Sequence, residues 1–208
     1  TAISAQQIVE TGHMACGTVH AHLISGIVPR LTNEEIGMSR DVLTNPNILT
    51  LLVYQALVPK LCPHCKIGGR LYQQGMSDAE HVFELLDTLE NRFQLERDLF
   101  YFKKQGGCPH CKHRGTAGLS VVAEILTPDR KWLNLIRQGK DYEAMMYYRS
   151  KSDGNFRSEN MDGKTVFEHT LYKALLGEVD PRHCERFDSF DRFEIMNDAD
   201  RAETACYT

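Results

Sequence analysis

The chain has 208 residues, of which 42% are hydrophobic and 25% charged, and this is the composition of an ordinary globular protein. The net charge of −4 leaves no overall electrostatic footprint for nucleic acid, which argues against a direct nucleic-acid partner. No apolar run approaches the roughly 18 residues that a transmembrane helix needs, and no secretory signal opens the sequence. Seven cysteines in such a chain indicate a reducing compartment and bound metal.

Hydrophobic periodicity predicts five elements in the first 61 residues. They are the end of a helix over residues 1–11, a buried strand at Met14–His20, short helical pieces at Ser25–Leu31 and Asn33–Ser39, and a buried helix at Pro46–Leu61. The last prediction rests on the density of its apolar residues, with the helix ending near Pro59. Because Thr1 is not Met and a helical pattern starts at once, we expect the sequence to be cut from a longer chain.

The strongest chemical signal is a four-residue motif that occurs twice. Cys62-Pro63-His64-Cys65 and Cys108-Pro109-His110-Cys111 are identical, with 42 residues between them, and we call each one a knuckle. A Cys-x2-Cys turn brings its two sulfurs close together, and two such turns supply the closed tetrahedral shell of a structural Zn²⁺ site. The sequence therefore predicts one zinc ion bound by Cys62, Cys65, Cys108 and Cys111. The remaining cysteines, Cys16, Cys184 and Cys206, are expected to be spare thiols.

Two alternatives for this site stay open. Four thiolates do not by themselves distinguish zinc from the iron of a rubredoxin-like site. His64, His110 and His113 lie in or beside the knuckles, so a shell of three thiolates and one imidazole is a minor alternative. A catalytic zinc is disfavoured, because four thiolates leave no open position for water or substrate.

The rest of the chain carries several helix signals and two strand signals. The predicted elements are a helix at about Asp78–Arg97, strands at Leu99–Phe102 and Leu119–Leu126, helices from Pro128 to Gly139 and at Asp141–Ser150, a loop at Ser150–Gly163 and a helix at Lys164–Leu176. Ser77 and Glu80 form a capping-box pattern before the first helix, and Thr127 is the predicted N-cap of the second. The tail from Asp188 is acidic and is expected to fray.

Four segments occur in an order that is more specific than any one of them. They are Thr11-Gly12-His13 with Gly17-Thr18-Val19-His20 and Arg30-Leu31, then Gln55 through the first knuckle, then Gly107 with the second knuckle and Glu124-Ile125-Leu126, and finally Gly163-Lys164-Thr165 to Gly177-Glu178-Val179. Together they resemble the His box, the knuckles and the last helix of the secretion and pilus-assembly traffic ATPases. These are the hexameric P-loop motors of type II secretion and type IV pilus systems, and the resemblance covers about residues 1–180.

The resemblance implies an α/β fold in four parts. Residues 1–60 would be the end of a RecA-like P-loop NTPase domain, and residues 61–126 a zinc-binding tetracysteine module with a helical insert. Residues 127–187 would be a mostly helical C-terminal subdomain, and residues 188–208 a polar tail.

The resemblance also implies a function, that of the C-terminal fragment of an ATP-driven motor for pilus assembly or type II protein secretion. His13 and His20 would then lie near the γ-phosphate and are the candidate catalytic residues, while ATP and Mg²⁺ would be bound by the parent protein. The implied partners are identical subunits in a homo-hexamer and the platform protein of the inner membrane. The implied location is cytoplasmic, peripheral to the bacterial inner membrane.

The sequence departs from the family pattern in two ways. It has no G-x4-G-K-[ST] loop and no acidic Walker B strand, so we expect this fragment alone to be inactive. Ala21 and Ala56 stand where the family has Thr and Arg, which favours a divergent branch, such as a type IVb or conjugative pilus motor.

A free-standing zinc-ribbon module that binds protein or nucleic acid is the alternative function. A nucleic-acid ribbon carries a basic stripe. The cations near the knuckles are Lys66, Arg70, Lys103, Lys104, Lys112 and Arg114, within a chain that is acidic as a whole. The charge therefore favours the motor fragment over the ribbon.

Overall fold

Helices and strands are mixed along the chain in this computed structural model, which describes residues 2–72 and 77–205. The helices are α1 (Ala2–Glu10), α2 (Ile27–Thr32), α3 (Arg40–Leu43), α4 (Ala79–Asn91), α5 (Arg130–Arg137), α6 (Asp141–Arg149), α7 (Val166–Leu175) and α8 (Asp198–Ala205). The strands are β1 (Leu52–Leu61), β2 (Ile67–Gly68), β3 (Tyr101–Phe102) and β4 (Thr116–Leu126). This mixture agrees with the expected α/β class.

The longest strands, β1 and β4, form an antiparallel ribbon. The pairing runs from Leu52 opposite Leu126 to Leu61 opposite Thr116, with one irregularity between Pro59 and Leu61. β2 and β3 form a second, short antiparallel pair. The end of β1 therefore meets the start of β4, and this is the point in the fold at which the two knuckles come together.

The buried helix predicted at Pro46–Leu61 is wrong, because most of this segment is β1. Burial follows the two-residue period of a strand: Val58 is fully buried, whereas Val53 and Leu57 are 45% and 53% exposed. Density of apolar residues alone does not distinguish a helix from a strand, and the pairing with β4 decides between them. Pro59 lies at the register irregularity, where a strand tolerates a residue without an N–H group.

The strand predicted at Met14–His20 is also wrong. Residues 13–21 form neither helix nor strand, and the side chain of Met14 is 97% exposed. A strand needs a neighbour to satisfy its N–H and C=O groups, and the described ladders involve only β1 to β4. The helical piece expected at Asn33–Ser39 is absent as well, and α3 begins only at Arg40.

Two predicted helix starts are corrected. α4 begins at Ala79 and ends at Asn91, short of the predicted Arg97, and the hydroxyl of Ser77 donates to Gln105 at 2.8 Å instead of forming a capping box. α5 begins after Asp129, whose carboxylate accepts the N–H of Trp132 at 2.8 Å. Asp129 therefore takes the N-cap role predicted for Thr127, because its carboxylate reaches the open N–H groups of the first turn.

Four predicted elements in the second half are confirmed. Strands at Leu99–Phe102 and Leu119–Leu126 correspond to β3 and β4, the helix at Asp141–Ser150 to α6, and the helix at Lys164–Leu176 to α7. Gly177 follows α7 with a φ of +67°, which is the left-handed conformation expected of a C-terminal glycine.

The buried apolar side chains form two clusters. The larger one contains Val58 and Val122 of the ribbon and the apolar faces of α4 and α7, and the smaller one contains the apolar faces of α2, α5 and α6. Phe190 and Phe193 of the tail are only 3% and 2% exposed within the larger cluster, and the ring of Phe193 stacks on that of Phe167 at 4.2 Å. The expectation that the tail frays is therefore wrong for residues 188–198, because its aromatic residues complete the core.

Within residues 2–72 and 77–205, no helix has both the length and the apolar character needed to cross a membrane.

Candidate metal centre and His-box segment

The ribbon brings the two knuckles together. Cys62 directly follows β1, and Cys111 comes shortly before β4. The backbone N–H of Cys62 donates to the carbonyl of Gly115 at 3.1 Å, so the strand pairing continues into the knuckles. The 42 intervening residues, which include α4, leave and return at this point.

The four predicted ligand cysteines form one cluster, in which all sulfurs lie within 4.8 Å of one another. The Sγ–Sγ distances are 3.8 Å for Cys62 and Cys108, 4.0 Å for Cys65 and Cys111, and 3.8 Å for Cys108 and Cys111. Tetrahedral zinc with Zn–S bonds of about 2.3 Å places its sulfurs about 3.8 Å apart. The spacing of Cys62, Cys65, Cys108 and Cys111 therefore fits one tetrahedral metal ion.

The charge state of the sulfurs also fits a metal. The Sγ of Cys111 accepts backbone N–H groups from Cys108 at 3.2 Å and Gly115 at 3.1 Å. Burial opposes ionisation, yet these bonds lower the pKa of the Cys111 thiol to about 6. Burial and the neighbouring sulfurs raise the pKa of the Cys65 thiol to about 12. A cation among the sulfurs would offset this rise and allow the Cys65 thiolate to form, as in a metal–thiolate site.

Two glycines allow the tight second knuckle. A Cβ atom on Gly107 would lie 2.5 Å from the backbone nitrogen of Gly115 and 2.7 Å from the sulfur of Cys111. A Cβ atom on Gly115 would lie 2.5 Å from the carbonyl oxygen of Lys104. Only glycine permits these approaches, so both residues are needed for the sulfur cluster to form although they provide no sulfur.

The nearby histidines lie outside the sulfur cluster. The rings of His64 and His110 stack on each other with centroids 4.1 Å apart, and both residues are exposed. The Nδ1 atom of His113 lies 3.2 Å from the carbonyl oxygen of Gly106. Among the residues that the structure describes, the metal-ligating group consists of the four cysteines without a histidine, which favours four thiolates over three thiolates and one imidazole.

The spare thiols differ in their surroundings. Cys16 is exposed, whereas Cys184 is fully buried and burial raises the pKa of its thiol well above the usual value. Cys206 lies outside the described residues.

The two candidate catalytic histidines lie in the exposed N-terminal segment. His13 follows α1 and lines an open cleft of about 760 Å³ together with Glu10, Asp41 and Asn45, and its Nδ1 atom lies 3.2 Å from the hydroxyl of Thr11. His20 is exposed as well but is not among the described residues that line this cleft. The structure thus places both imidazoles at the surface and does not bring them into one pocket.

The triplet Gly163-Lys164-Thr165 precedes α7 and has the letters that end a phosphate-binding loop. It does not form such a loop here, because a coil and not a strand leads into it. The Nζ atom of Lys164 donates to the carbonyl of Ser158, and the Lys164 side chain is buried. The hydroxyl of Thr165 caps α7. The lysine is therefore engaged inside the protein and does not face a ligand.

One charged residue in the core was not predicted as functional. Glu124 lies in β4 and is fully buried, and its carboxylate accepts hydrogen bonds from two distant parts of the backbone. The available sequence signal is a single acidic residue within the apolar strand Leu119–Leu126.

Comparison with known proteins gives one family. The type II/IV secretion system protein family matches residues 1–173. The type II secretion system ATPase E of Vibrio cholerae is 28% identical over 162 residues, which are 78% of this chain and 29% of that protein. The protein transport protein HofB homolog of Escherichia coli is 28% identical over 82% of this chain and 34% of its own length. The type IV pilus assembly ATPase PilB of Pseudomonas aeruginosa is 26% identical over 77% of this chain and 26% of its own length.

The chain thus spans about a third or less of the length of these relatives. The family match covers most of the chain, from the first residues through both knuckles to the last turn of α7. The chain belongs to the type II/IV secretion system protein family.

Proposed function

We propose that this chain is the C-terminal part of a hexameric ATP-driven motor for pilus assembly or type II protein secretion. The observation that carries the proposal is the family match over residues 1–173, which includes the four-cysteine cluster. Relatives named as secretion and pilus-assembly ATPases support it. The motor works at the cytoplasmic face of the inner membrane, as a homo-hexamer acting on a platform protein.

In this proposal, residues 1–60 complete a RecA-like ATPase domain and residues 61–126 form the zinc module. Residues 127–187 are the C-terminal helical subdomain, and residues 188–208 are the tail. β1 crosses the first of these boundaries, so the zinc module is joined to the ATPase domain by a continuous strand. Nine of its ten residues lie before this boundary, and their pairing with β4 joins the two parts along the length of the ribbon.

The metal in this proposal is a structural Zn²⁺ held by Cys62, Cys65, Cys108 and Cys111. Its closed shell supplies no chemistry of its own and instead closes the loop that contains α4. The zinc module is then a fixed arm that contacts the platform protein.

The catalytic histidines in this proposal are His13 and His20. Both are exposed, so each is free to meet a γ-phosphate held by the nucleotide-binding part of the motor. An imidazole there can donate to a phosphate oxygen or hold the attacking water as the transition state forms.

The first test is ATP binding by these 208 residues alone. We expect no measurable binding or hydrolysis, because no Walker A loop is present and Lys164 is engaged in the core. Titration calorimetry with Mg-ATP measures this directly. Binding in the micromolar range would show that the nucleotide site lies in this chain and would defeat the proposal.

The second test uses a longer protein that also carries the nucleotide-binding part. His20→Ala should lower the rate of ATP turnover about tenfold or more while changing ATP affinity little, because a γ-phosphate sensor acts mainly in the transition state. His22→Ala is the matched control, since His22 is also exposed and lies two residues away. A parallel loss of affinity and turnover in His20→Ala, or a larger effect of His22→Ala, would contradict the assignment of His20.

A further inference from the structure

Glu124 connects two parts of the fold that are remote in sequence. Its Oε2 atom accepts the backbone N–H of Ile24 at 2.9 Å, 100 residues earlier in the chain. Its Oε1 atom accepts the backbone N–H of Val166 at 3.0 Å, 42 residues later. The residue itself lies near the C-terminal end of β4, where it pairs with Tyr54 of β1. One side chain thus spans from the ribbon to both the N-terminal segment and the start of α7.

Burying a carboxylate at this position destabilises the fold unless these two hydrogen bonds are made. Glu124 is 0% exposed, and burial raises the pKa of its carboxyl, although the N–H groups of Ile24 and Val166 oppose that rise. Glu168, Tyr148 and Arg149 are the ionisable groups around it. An apolar residue would avoid the desolvation but would leave two buried N–H groups without an acceptor.

The two donors belong to elements with different roles. Val166 is the first residue of α7, a ten-residue helix whose N-terminus favours a negative group. Ile24 is buried and begins the turn that leads into α2, four residues after His20. Val19 and Ala21, on either side of His20, are half-buried against the smaller core cluster, whereas His20 is exposed.

We propose that Glu124 is a positioning residue that joins the start of α7 to the segment carrying His20, so that a displacement of α7 is passed to His20. Residues 13–21 have no regular secondary structure, and the Glu124–Ile24 bond holds their C-terminal end. The relevance to catalysis rests on the proposed role of His20, whereas the mechanical link rests on the two hydrogen bonds alone.

Amide hydrogen exchange of the zinc-loaded chain, followed by NMR, tests the link. Glu124→Ala removes both acceptors, and Glu124→Gln keeps the volume but can accept only one of the two N–H groups. We expect the Ile24 and Val166 amides to be protected in the wild type. In Glu124→Ala both should exchange at least about tenfold faster relative to core amides such as Leu86. Unchanged exchange at Ile24, or a uniform rise at all amides, would overturn the proposal.

Coupling is tested with a second substitution. Thr165→Ala loosens the start of α7 without touching Glu124, so it should speed exchange at Ile24 and shift the NMR signal of the His20 amide. In the Glu124→Ala background the same substitution should leave Ile24 unaffected. If Glu124→Ala does not fold, the same comparison is made in the Glu124→Gln background. An equal effect of Thr165→Ala at Ile24 with and without Glu124 would overturn the link.

The control for this coupling is Thr88→Ala, a similar change in α4, which should leave Ile24 unchanged; an equal effect there would also overturn it. Neither measurement uses ATP. A negative result for the Glu124 link therefore does not contradict the proposed motor function, and a negative ATPase result does not contradict the link.

Discussion

Single side chains complete the backbone hydrogen bonding of β4. The Nδ1 atom of His169 in α7 accepts the N–H of Ala123 at 3.0 Å, next to Glu124 in sequence. Burial lowers the pKa of His169, and Lys173 and Lys164 lower it further. The carbonyl oxygen of Ala123, 3.3 Å from the same Nδ1 atom, and Glu178 oppose this lowering. The imidazole is therefore neutral in the folded protein at neutral pH, which is the state that can accept this bond.

This gives a pH prediction for His169. A lowered folded-state pKa means that the unfolded chain binds the proton more readily. The stabilisation is thus present above the ordinary imidazole value near 6.5 and is lost as the pH falls through the folded-state pKa. His169→Asn keeps an acceptor near Nδ1 but does not titrate. Urea unfolding at pH 7 and pH 5 should show a larger acid loss of stability in the wild type than in His169→Asn, and equal losses would refute the role of His169.

At the scale of elements, two sequences with the same capping-box pattern behave differently. The hydroxyl of Thr165 accepts the backbone N–H of Glu168 at 3.2 Å, and the carboxylate of Glu168 accepts the backbone N–H of Thr165 at 2.7 Å. Ser77 instead bonds to Gln105, and the neighbouring Asp78 is held by Arg182 in an ion pair. The local pattern forms a cap only where tertiary partners do not compete for its side chains.

The cap of α7 should therefore be measurable. Thr165→Ala should lower the free energy of unfolding by about 1 kcal/mol, because it leaves an N–H group of the first turn without its acceptor. Thr88→Ala in the interior of α4 should change stability by less than about 0.5 kcal/mol, since its hydroxyl only bonds back to Glu84. Chemical denaturation of both variants makes the comparison. An equal effect of the two changes would show that the capping box contributes nothing.

At the scale of the whole molecule, the four-cysteine cluster lies at the closed end of the ribbon. The sulfur cluster ties the end of β1 to the start of β4, and both strands contribute to the larger core cluster. Loss of the metal would therefore lower the stability of parts of the chain far from the sulfurs, because the thiolates would repel one another and the loop that contains α4 would no longer be closed.

Chelation should consequently destabilise the entire chain. We expect one zinc per chain by elemental analysis, and removal of the metal should lower the melting temperature by about 5 °C or more. Cys65→Ala should bind little metal and be insensitive to the chelator, whereas Cys16→Ala should behave like the wild type because Cys16 is exposed and remote from the cluster. Absence of both zinc and iron, or a melting curve unaffected by chelation, would contradict the metal site.

The amino-acid sequence by itself determined the features that depend on neighbours along the chain. The Cys-x2-Cys turns identified the four members of the sulfur cluster, because each turn brings its own pair of sulfurs together. The helical spacing of apolar residues located α7, and Gly177 marked its end. The family resemblance followed from the order of such local motifs and agrees with the match over residues 1–173.

The tertiary structure decided the features that depend on contacts between distant segments. β1 is a strand because β4 pairs with it, and Met14–His20 is not one because no described strand lies beside it. Phe190 and Phe193 are buried because they meet Phe167 and Phe93, which no pattern in the tail reveals. The role of Glu124 likewise required both Ile24 and Val166 to come to it. Pairing and burial between remote residues are properties of the folded chain, and local sequence carries only a weak signal of them.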